Sequence, residues 1–482
     1  MSAFFGPVPV HPRRAIAALA TAFAVAGCQT FSSDGGLSVA SGVAERELRK
    51  DVVLIRTDED ISAAHARVRH LISRPLTAET AVQIALLNNR GLQAAYNELG
   101  IAEAISVRQS LPPNPQFSIL RVSGSVETEL ENQIVANILA LATLPARSEI
   151  AAGRFRQAQL AAALETLRVA NGARFAFYQA VAANQLVSYF TQAESAAATS
   201  AQLAKRLGET GAMNKLDQAR EQSFHADIAT QLVATQQRAL SERERLIRLL
   251  GLEGADLNFT LPRALPVLPV HPLRVPQVEQ EALDRRIDLQ IARIELDVLS
   301  KSYGLTTATR FINVLEGGYA EKIKTENQTG QHAHSPGFTV IFEVPIFDFG
   351  ETRIREAEQT YMQAVNKLAE MAVNVRSEAR DAYRNYRTSY DIAARYQHDI
   401  LPLRKVISDE MMLRYGAMQV DVFSLLTDAR QRIAANVAGL QALRDFWLAS
   451  ATLHSTIVGG RSVTSDSAAL AGMRTSLATA DH

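Results

Sequence analysis

The chain has 482 residues, and its 50 Lys and Arg balance 50 Asp and Glu to a formal net charge of zero. That balance argues against a general nucleic-acid binder, whose affinity would rest on neutralising phosphates. The length holds several domains or one elongated repeat.

Arg13 and Arg14 precede an apolar run from Ala15 to Ala26. The run is too short to span a bilayer and reads as the core of a secretory signal, so residues 1–27 are expected to direct export. It closes on Val25-Ala26-Gly27-Cys28, which resembles the lipobox of bacterial lipoproteins, and Cys28 is the only cysteine. The resemblance implies a covalent lipid on Cys28 and no other bound group, with residues 28–76 as a lipidated linker. Gln29, where an Asp would favour inner-membrane retention in that family, implies the outer membrane. No later stretch has the roughly twenty apolar residues a membrane helix requires, so further membrane contact falls to strands.

Thr77, just after Pro75, is placed to cap a helix predicted to run to about Ser110, with Glu79 in its first turn. Pro112, Pro113 and Pro115 stop it. Two extended segments are predicted at Gln116 to Val126 and Gln133 to Leu141, around the polar turn SGSVETELEN. After Pro145 a helical text runs from Arg147 to Leu207, with Phe155, Leu160, Leu164 and Leu167 on one side and Leu186, Phe190 and Ala193 further along. About sixty residues make a rod of about 90 Å. Gly208 and Gly211 turn the chain, and a return helix starting at Asn214 or Asp217 runs to Leu250.

Residues 77–250 therefore form one repeat. Residues 251–277 are Pro-rich, which forbids continuous helix and predicts an extended connector packed around the repeats. The second repeat, 278–458, has a helix from Val278 to Tyr303 and strands near Arg310 to Ala320 and Pro336 to Pro345. A rod from Gly350 to Tyr415 follows, then a turn at Gly416 and a return helix ending before Gly459. Residues 459–482 are a tail.

The duplication is visible in identities. ALLNNRGLQAAYNEL from Ala85 lies over ALDRRIDLQIARIEL from Ala282 at an offset of 197 residues (282 − 85). KRLGETGAMNKLDQAR, ending at Arg220, resembles LRYGAMQVDVFSLLTDAR, ending at Arg430, and aligning Gly-Ala-Met gives 205 (416 − 211). One unit is written twice. Between strands, Glu321 to Pro336 reads as an external loop. His332 and His334 in it are expected to be solvated, and no metal site is expected.

Each repeat supplies one hairpin, so one chain has four strands, too few to close a barrel. The Ala-rich helical faces, such as Ala193 to Leu207, likewise need partners. The expected fold is mainly α-helical with a membrane β-barrel, its strands and helices pooled from several chains.

The duplicated ALxxxxxLQxAxxEL, the VPIFDFG junction at Val344 to Gly350, its counterpart TLPARSEIA from Thr143, and RYGAM at the second turn give the chain a family resemblance. From Leu76 to Gly460 it resembles TolC-type outer-membrane factors. The resemblance implies a homotrimer whose twelve-strand barrel joins a twelve-helix periplasmic barrel. Such a duct conducts passively, served by a periplasmic adaptor and an inner-membrane efflux transporter. It implies that Phe338, Val340, Phe342 and Val344 face lipid while Thr339 and Glu343 face water. It also implies a periplasmic gate at Arg414, Tyr415, Asp421 and Asp428, and adaptor contacts at Arg206, Gly211, Arg414 and Gly416. Ser424 and Thr427 stand where related sequences carry acids, and Asp421 and Asp428 also read as a helix cap and a solvated flank.

An enzyme is not expected, because GETGAMNK lacks phosphate-loop spacing and no His, Asp or Glu cluster has metal spacing. The rival reading is a periplasmic adaptor or coiled-coil structural lipoprotein without a pore. It accounts for Cys28 and the long helices but not for two apolar hairpins.

Overall fold

The structure is a computed structural model and describes residues 31–459. The signal segment, Cys28 with its expected lipid, and residues 460–482 lie outside the described residues. Two compact units are present, each assembled from both repeats.

One unit holds residues 31–36 with Asn97–Gln159 and Ile291–Ala369. Its centre is a four-stranded antiparallel sheet in the order β1 (Gln116–Ser123), β2 (Glu127–Asn137), β3 (Val314–Glu326), β4 (His332–Glu343). The repeats meet at β2–β3, where Glu129 is opposite Lys324 and Glu131 opposite Lys322. Lys322 Nζ lies 2.7 Å from Glu129, and Lys324 Nζ lies 2.5 Å from Glu129 and 3.3 Å from Glu127. This ladder supports a pairing that is distant in sequence. Asn327 latches the two hairpin tips: its N–H donates to the Val126 carbonyl (2.9 Å), its side-chain amide to the Gly124 carbonyl (2.9 Å), and its oxygen accepts from the Thr128 hydroxyl (3.0 Å).

Two expectations are corrected here. β2 already begins at Glu127, inside the stretch read as a polar turn, and β3 and β4 extend to Glu326 and from His332, which shortens the external loop to 327–331. His332 and His334 are strand residues, with His334 Nδ1 3.3 Å from Glu321 and His332 Nδ1 2.9 Å from the Thr325 hydroxyl. Lys322, Lys324 and Glu326 alternate along one face of a long strand, so their charge marks a solvated strand face and not a loop.

The register sorts the two faces. Phe117, Ile134, Tyr319 and Phe338 are successive cross-strand partners and so share a face, with the Tyr319 and Phe338 rings edge to face at 5.9 Å. Val340 and Phe342 continue that face, and Phe338 is 89% exposed. Thr339 and Glu343 fall on the opposite face, with Glu127, Glu129, Glu131, Lys322 and Lys324. Val344 lies one residue beyond the end of β4.

The strand-to-helix junction follows from local chemistry. Phe349 and Gly350 are left-handed (φ 49° and 74°), and the Asp348 carboxylate accepts from the Gly350 N–H at 3.0 Å just before the long helix α10 (Glu351–Arg395). A Cβ at Gly350 would lie 2.4 Å from the Arg310 carbonyl, so glycine is required. In the first repeat Asn137 caps a short helix, α5 (Ile138–Ala142), in the same role.

The other unit comprises Leu37–Tyr96, Leu160–Gln290 and residues 370–459. It opens with α1 (Ser38–Val43) and α2 (Asp58–Ile72). The helices predicted as single from Thr77 and Val278 are each broken: α3 (Ala78–Asn88) from α4 (Arg90–Ser110) at Asn89, and α8 (Val278–Arg285) from α9 (Ile287–Ala308) at Arg286. The breaks lie 197 residues apart, the offset of the sequence repeat, with ψ of 114° and 123°. They are held differently. The Asn89 side chain accepts from Leu92 N–H (3.0 Å) and donates to the Leu249 carbonyl (2.9 Å), whereas Arg286, 2% exposed, binds Asp288 (2.7 Å) and Glu378 (2.5 Å).

The first rod forms as predicted from its unbroken periodicity, and the second is interrupted once, by a π-helical turn at Tyr396–Ile400. α6 (Leu144–Glu209) returns as α7 (Lys215–Leu250), and α10 (Glu351–Arg395) with α11 (Leu401–Gly416) returns as α12 (Val422–Val458). Leu186, Phe190, Ala193, Ala197 and Ile228 form a buried cluster, with Phe224, Leu232, Ile433 and Val437 packed on it. The Ala-rich face lets these backbones approach closely. The connector lies on aromatic side chains: Trp447 Nε1 donates to the Pro266 carbonyl (3.0 Å) and the Tyr390 hydroxyl to that of Pro269 (3.0 Å). Among the described residues no helix is long and apolar enough to cross a membrane.

Candidate functional site

The two helical tips are built alike. In the first, Ala212 N–H donates to the Leu207 carbonyl (2.8 Å), Gly211 N–H to that of Gly208 (3.1 Å), and Asn214 caps α7. In the second, Gln419 N–H donates to the Arg414 carbonyl (2.9 Å), Met418 N–H to that of Tyr415 (3.0 Å), and Asp421 caps α12. These are Schellman-type ends that satisfy the last carbonyls of each rod. Every equivalent pair is 207 residues apart, as are the rod starts Leu144 and Glu351. The offset of 205 from Gly-Ala-Met is therefore corrected: the structural partner of Gly211 is Met418, not Gly416.

The expected tip residues take distinct places. Arg206, Gly211 and Gly416 are exposed. Arg414 is exposed and pairs with Glu410 on its own helix (2.9 Å), and Tyr415 is half-buried. Asp421 accepts from the Ser424 N–H at 2.9 Å, and the Ser424 hydroxyl and N–H beside it hold its carboxyl below the usual range. Asp428, expected as a pore residue or a solvated flank, is only 6% exposed, so neither place fits it within the single chain.

A charged link between helices forms elsewhere. Arg430 Nη2 on α12 donates to the Arg220 carbonyl (3.2 Å) and reaches Glu221 on α7 (3.3 Å), while its guanidinium covers the Phe224 ring at 4.4 Å. Glu221, 2% exposed, also accepts from the Ser200 hydroxyl of α6 (3.1 Å). Arg220 in turn lies over Phe423 at 5.3 Å. Sequence reasoning passed over these residues. The signal was present, since Arg220 and Arg430 end the two segments that mark the repeat.

The comparisons agree with this architecture. The family model described as "Outer membrane efflux protein" matches residues 278–400. The cobalt-zinc-cadmium resistance protein CzcC of Cupriavidus metallidurans is 21% identical over 392 residues, covering 79% of this chain and 89% of that one. Among solved structures, the CmeC outer membrane channel of Campylobacter jejuni aligns with a TM-score of 0.68 at 14% identity, over 83% of this chain and 89% of its own. CusC, whose description concerns folding and transmembrane channel formation, aligns with a TM-score of 0.67 at 17% identity, over 80% and 92%.

The chain is similar to TolC-like outer membrane efflux proteins. The matched segment runs from α8 through the second hairpin and the VPIFDFG junction into the π-helical turn, Tyr396–Ile400, that follows α10. The four residues expected to form the gate are not brought together as one cluster within the chain. Arg414 bonds along its own helix, Asp421 holds a helix end, and the link between hairpins at this level is carried by Arg430 and Glu221.

Proposed function

We propose that this chain is the outer-membrane exit channel of a tripartite pump, working as a homotrimer that conducts passively. The observation that carries this reading is the sheet: β1 and β4 are unpaired edges, one face is apolar and the other charged. An open edge is untenable in lipid, and three such sheets joined edge to edge close a twelve-strand barrel with the charged face toward water. Phe338, Val340 and Phe342 then meet lipid, with Val344 at the lower margin.

On the same reading the helices of three chains form the periplasmic barrel, and symmetry triples each inward carboxylate at its closing end. Asp421 is the proposed ring residue, while Asp428 is buried within the chain and does not reach the lumen; Arg414 and Tyr415 bond across to neighbouring chains. The exposed tips, at Arg206, Gly211, Arg414 and Gly416, meet the periplasmic adaptor. The inner-membrane transporter supplies the energy and chooses the cargo. Cys28 carries lipid and anchors the chain to the same membrane.

Mass measurement by light scattering in detergent, followed by planar-bilayer recording, tests the reading. A trimer that conducts is expected, and a monodisperse monomer without conductance overturns it. Cys28→Ser separates it from a lipid-held adaptor without a pore, since a barrel stays in the membrane fraction when the lipid is lost.

A further inference from the structure

The apolar face of the sheet changes character toward the hairpin tips. Phe117, Ile134, Tyr319 and Phe338 form its aromatic row. Two residues further along, about 7 Å on each strand, the same face carries Asn132 and Glu321. Two further still it carries Arg121 and His334, and beyond them Ser123, Thr128, Thr325 and His332, with Ile119, Leu130 and Ile323 interspersed. All of these lie opposite the Glu129–Lys322 ladder, so they do not belong to the charged face described above.

Their charges are unequally matched. His334 Nδ1 lies 3.3 Å from Glu321, which takes up that carboxylate, and His332 is beside the Thr325 hydroxyl. Arg121 is exposed and has no ion-pair partner among the described residues. An outward arginine is costly at the middle of a bilayer and tolerated near its surface, where headgroups meet it. Aromatic side chains mark the edge of the apolar band, and Arg121 is four residues, about 13 Å, beyond Phe117 on the same strand. That distance takes it out of the acyl chains and into the headgroups.

The placement also concerns the seams. β1 and β4 are the two edges of the sheet. Where sheets join edge to edge, Arg121 of one chain and His332 and His334 of the next flank one seam on the outward face.

We propose that this outward patch holds a phosphate-bearing glycolipid of the outer leaflet, with Arg121 paired to a phosphate and Ser123, Asn132 and His332 bonding to sugar oxygens. The leaflet follows from the end of the sheet concerned: the patch is at the hairpin tips, whereas the other strand ends run into helices. The class follows from the chemistry, since one uncompensated cation among hydroxyl, amide and imidazole groups suits a phosphorylated sugar. The site rests on the channel reading above, which puts the sheet in the membrane.

Native mass spectrometry of the intact protein in detergent, titrated with diphosphoryl lipid A, reads the site. The trimer is expected to retain lipid A and to lose phosphatidylglycerol and phosphatidylethanolamine under the same activation. Arg121→Gln, at an exposed position, should lower lipid A retention about fivefold, the loss of one charge-assisted bond, and Arg121→Lys should keep most of it. Lys322→Gln removes a cation from the opposite face and should leave retention unchanged. Equal retention of all three lipids, or the same loss in Arg121→Gln and Lys322→Gln, overturns the site. A conducting trimer that retains no lipid A also overturns it and leaves the channel reading standing. A monomer without conductance overturns the channel reading and the site with it.

Discussion

Gly211 and Met418 occupy the same left-handed position in the two helical tips, with φ of 77° and 60°. Glycine adopts it without strain, whereas a side chain there costs about 1 kcal/mol, and Met418 is 94% exposed with no burial to offset the cost. Met418→Gly should therefore stabilise the second tip by about 0.5–1 kcal/mol, partly opposed by the entropy of the unfolded glycine. Slower hydrogen exchange at Ala417 and Gln419 checks this. Gly211→Ala should show the reverse in the first tip.

Asp421 caps α12, and on the channel reading proposed above it also places charge in the pore. Asn remains a good N-cap, so Asp421→Asn should keep the start of α12 protected from exchange while removing three charges from a trimeric pore. Reduced cation preference in bilayer recordings is the expected result. Asp421→Ala should lose both charge and cap, and unaltered selectivity in both variants would leave the residue with its cap alone.

Arg286 is a buried cation whose two carboxylate partners compensate it, and burial is outweighed there by Asp288 and Glu378 in holding the guanidinium charged. Arg286→Ala should destabilise the protein by about 3 kcal/mol, because it leaves those carboxylates without their cation and opens a cavity at the helix break. Asn89→Ala, at the equivalent break, should cost about 1–2 kcal/mol, the value of a lost cap and amide bond. Denaturant midpoints compare the two.

His454, on α12, has a buried Nδ1 with no hydrogen-bond partner among the described residues. Burial first, then the Arg174 charge, pushes its pKa below the ordinary value of about 6.5. Its neutral form is the one the fold accepts, so its contribution is fully present above about pH 6.5 and is lost as pH falls from there toward the lower folded value. The melting temperature should therefore drop between pH 7.5 and 5.5, and by less in His454→Leu.

Helix and strand identity was legible wherever the pattern was long and regular. The 3.6-residue periodicity marked both rods to within a few residues of their ends, the period of two marked Phe338 to Phe342, and Asn214 and Asp421 stood where caps are needed. The site was less legible. Arg430 and Glu221 are paired only because α12 lies beside α7, and their spacing in the chain carries no trace of it.

By itself the sequence determined the duplication, the four strands and the rods, because each follows from local periodicity. Only the tertiary structure decided three things. It set the tip offset at 207, since Schellman bonding depends on backbone geometry and not on a shared Gly-Ala-Met. It broke two predicted helices at Asn89 and Arg286, since those bends are held by partners such as Leu249 and Glu378 that are remote along the chain. And it buried Asp428 while leaving Met418 in water, since exposure is a property of packed helices and hydropathy alone does not carry it.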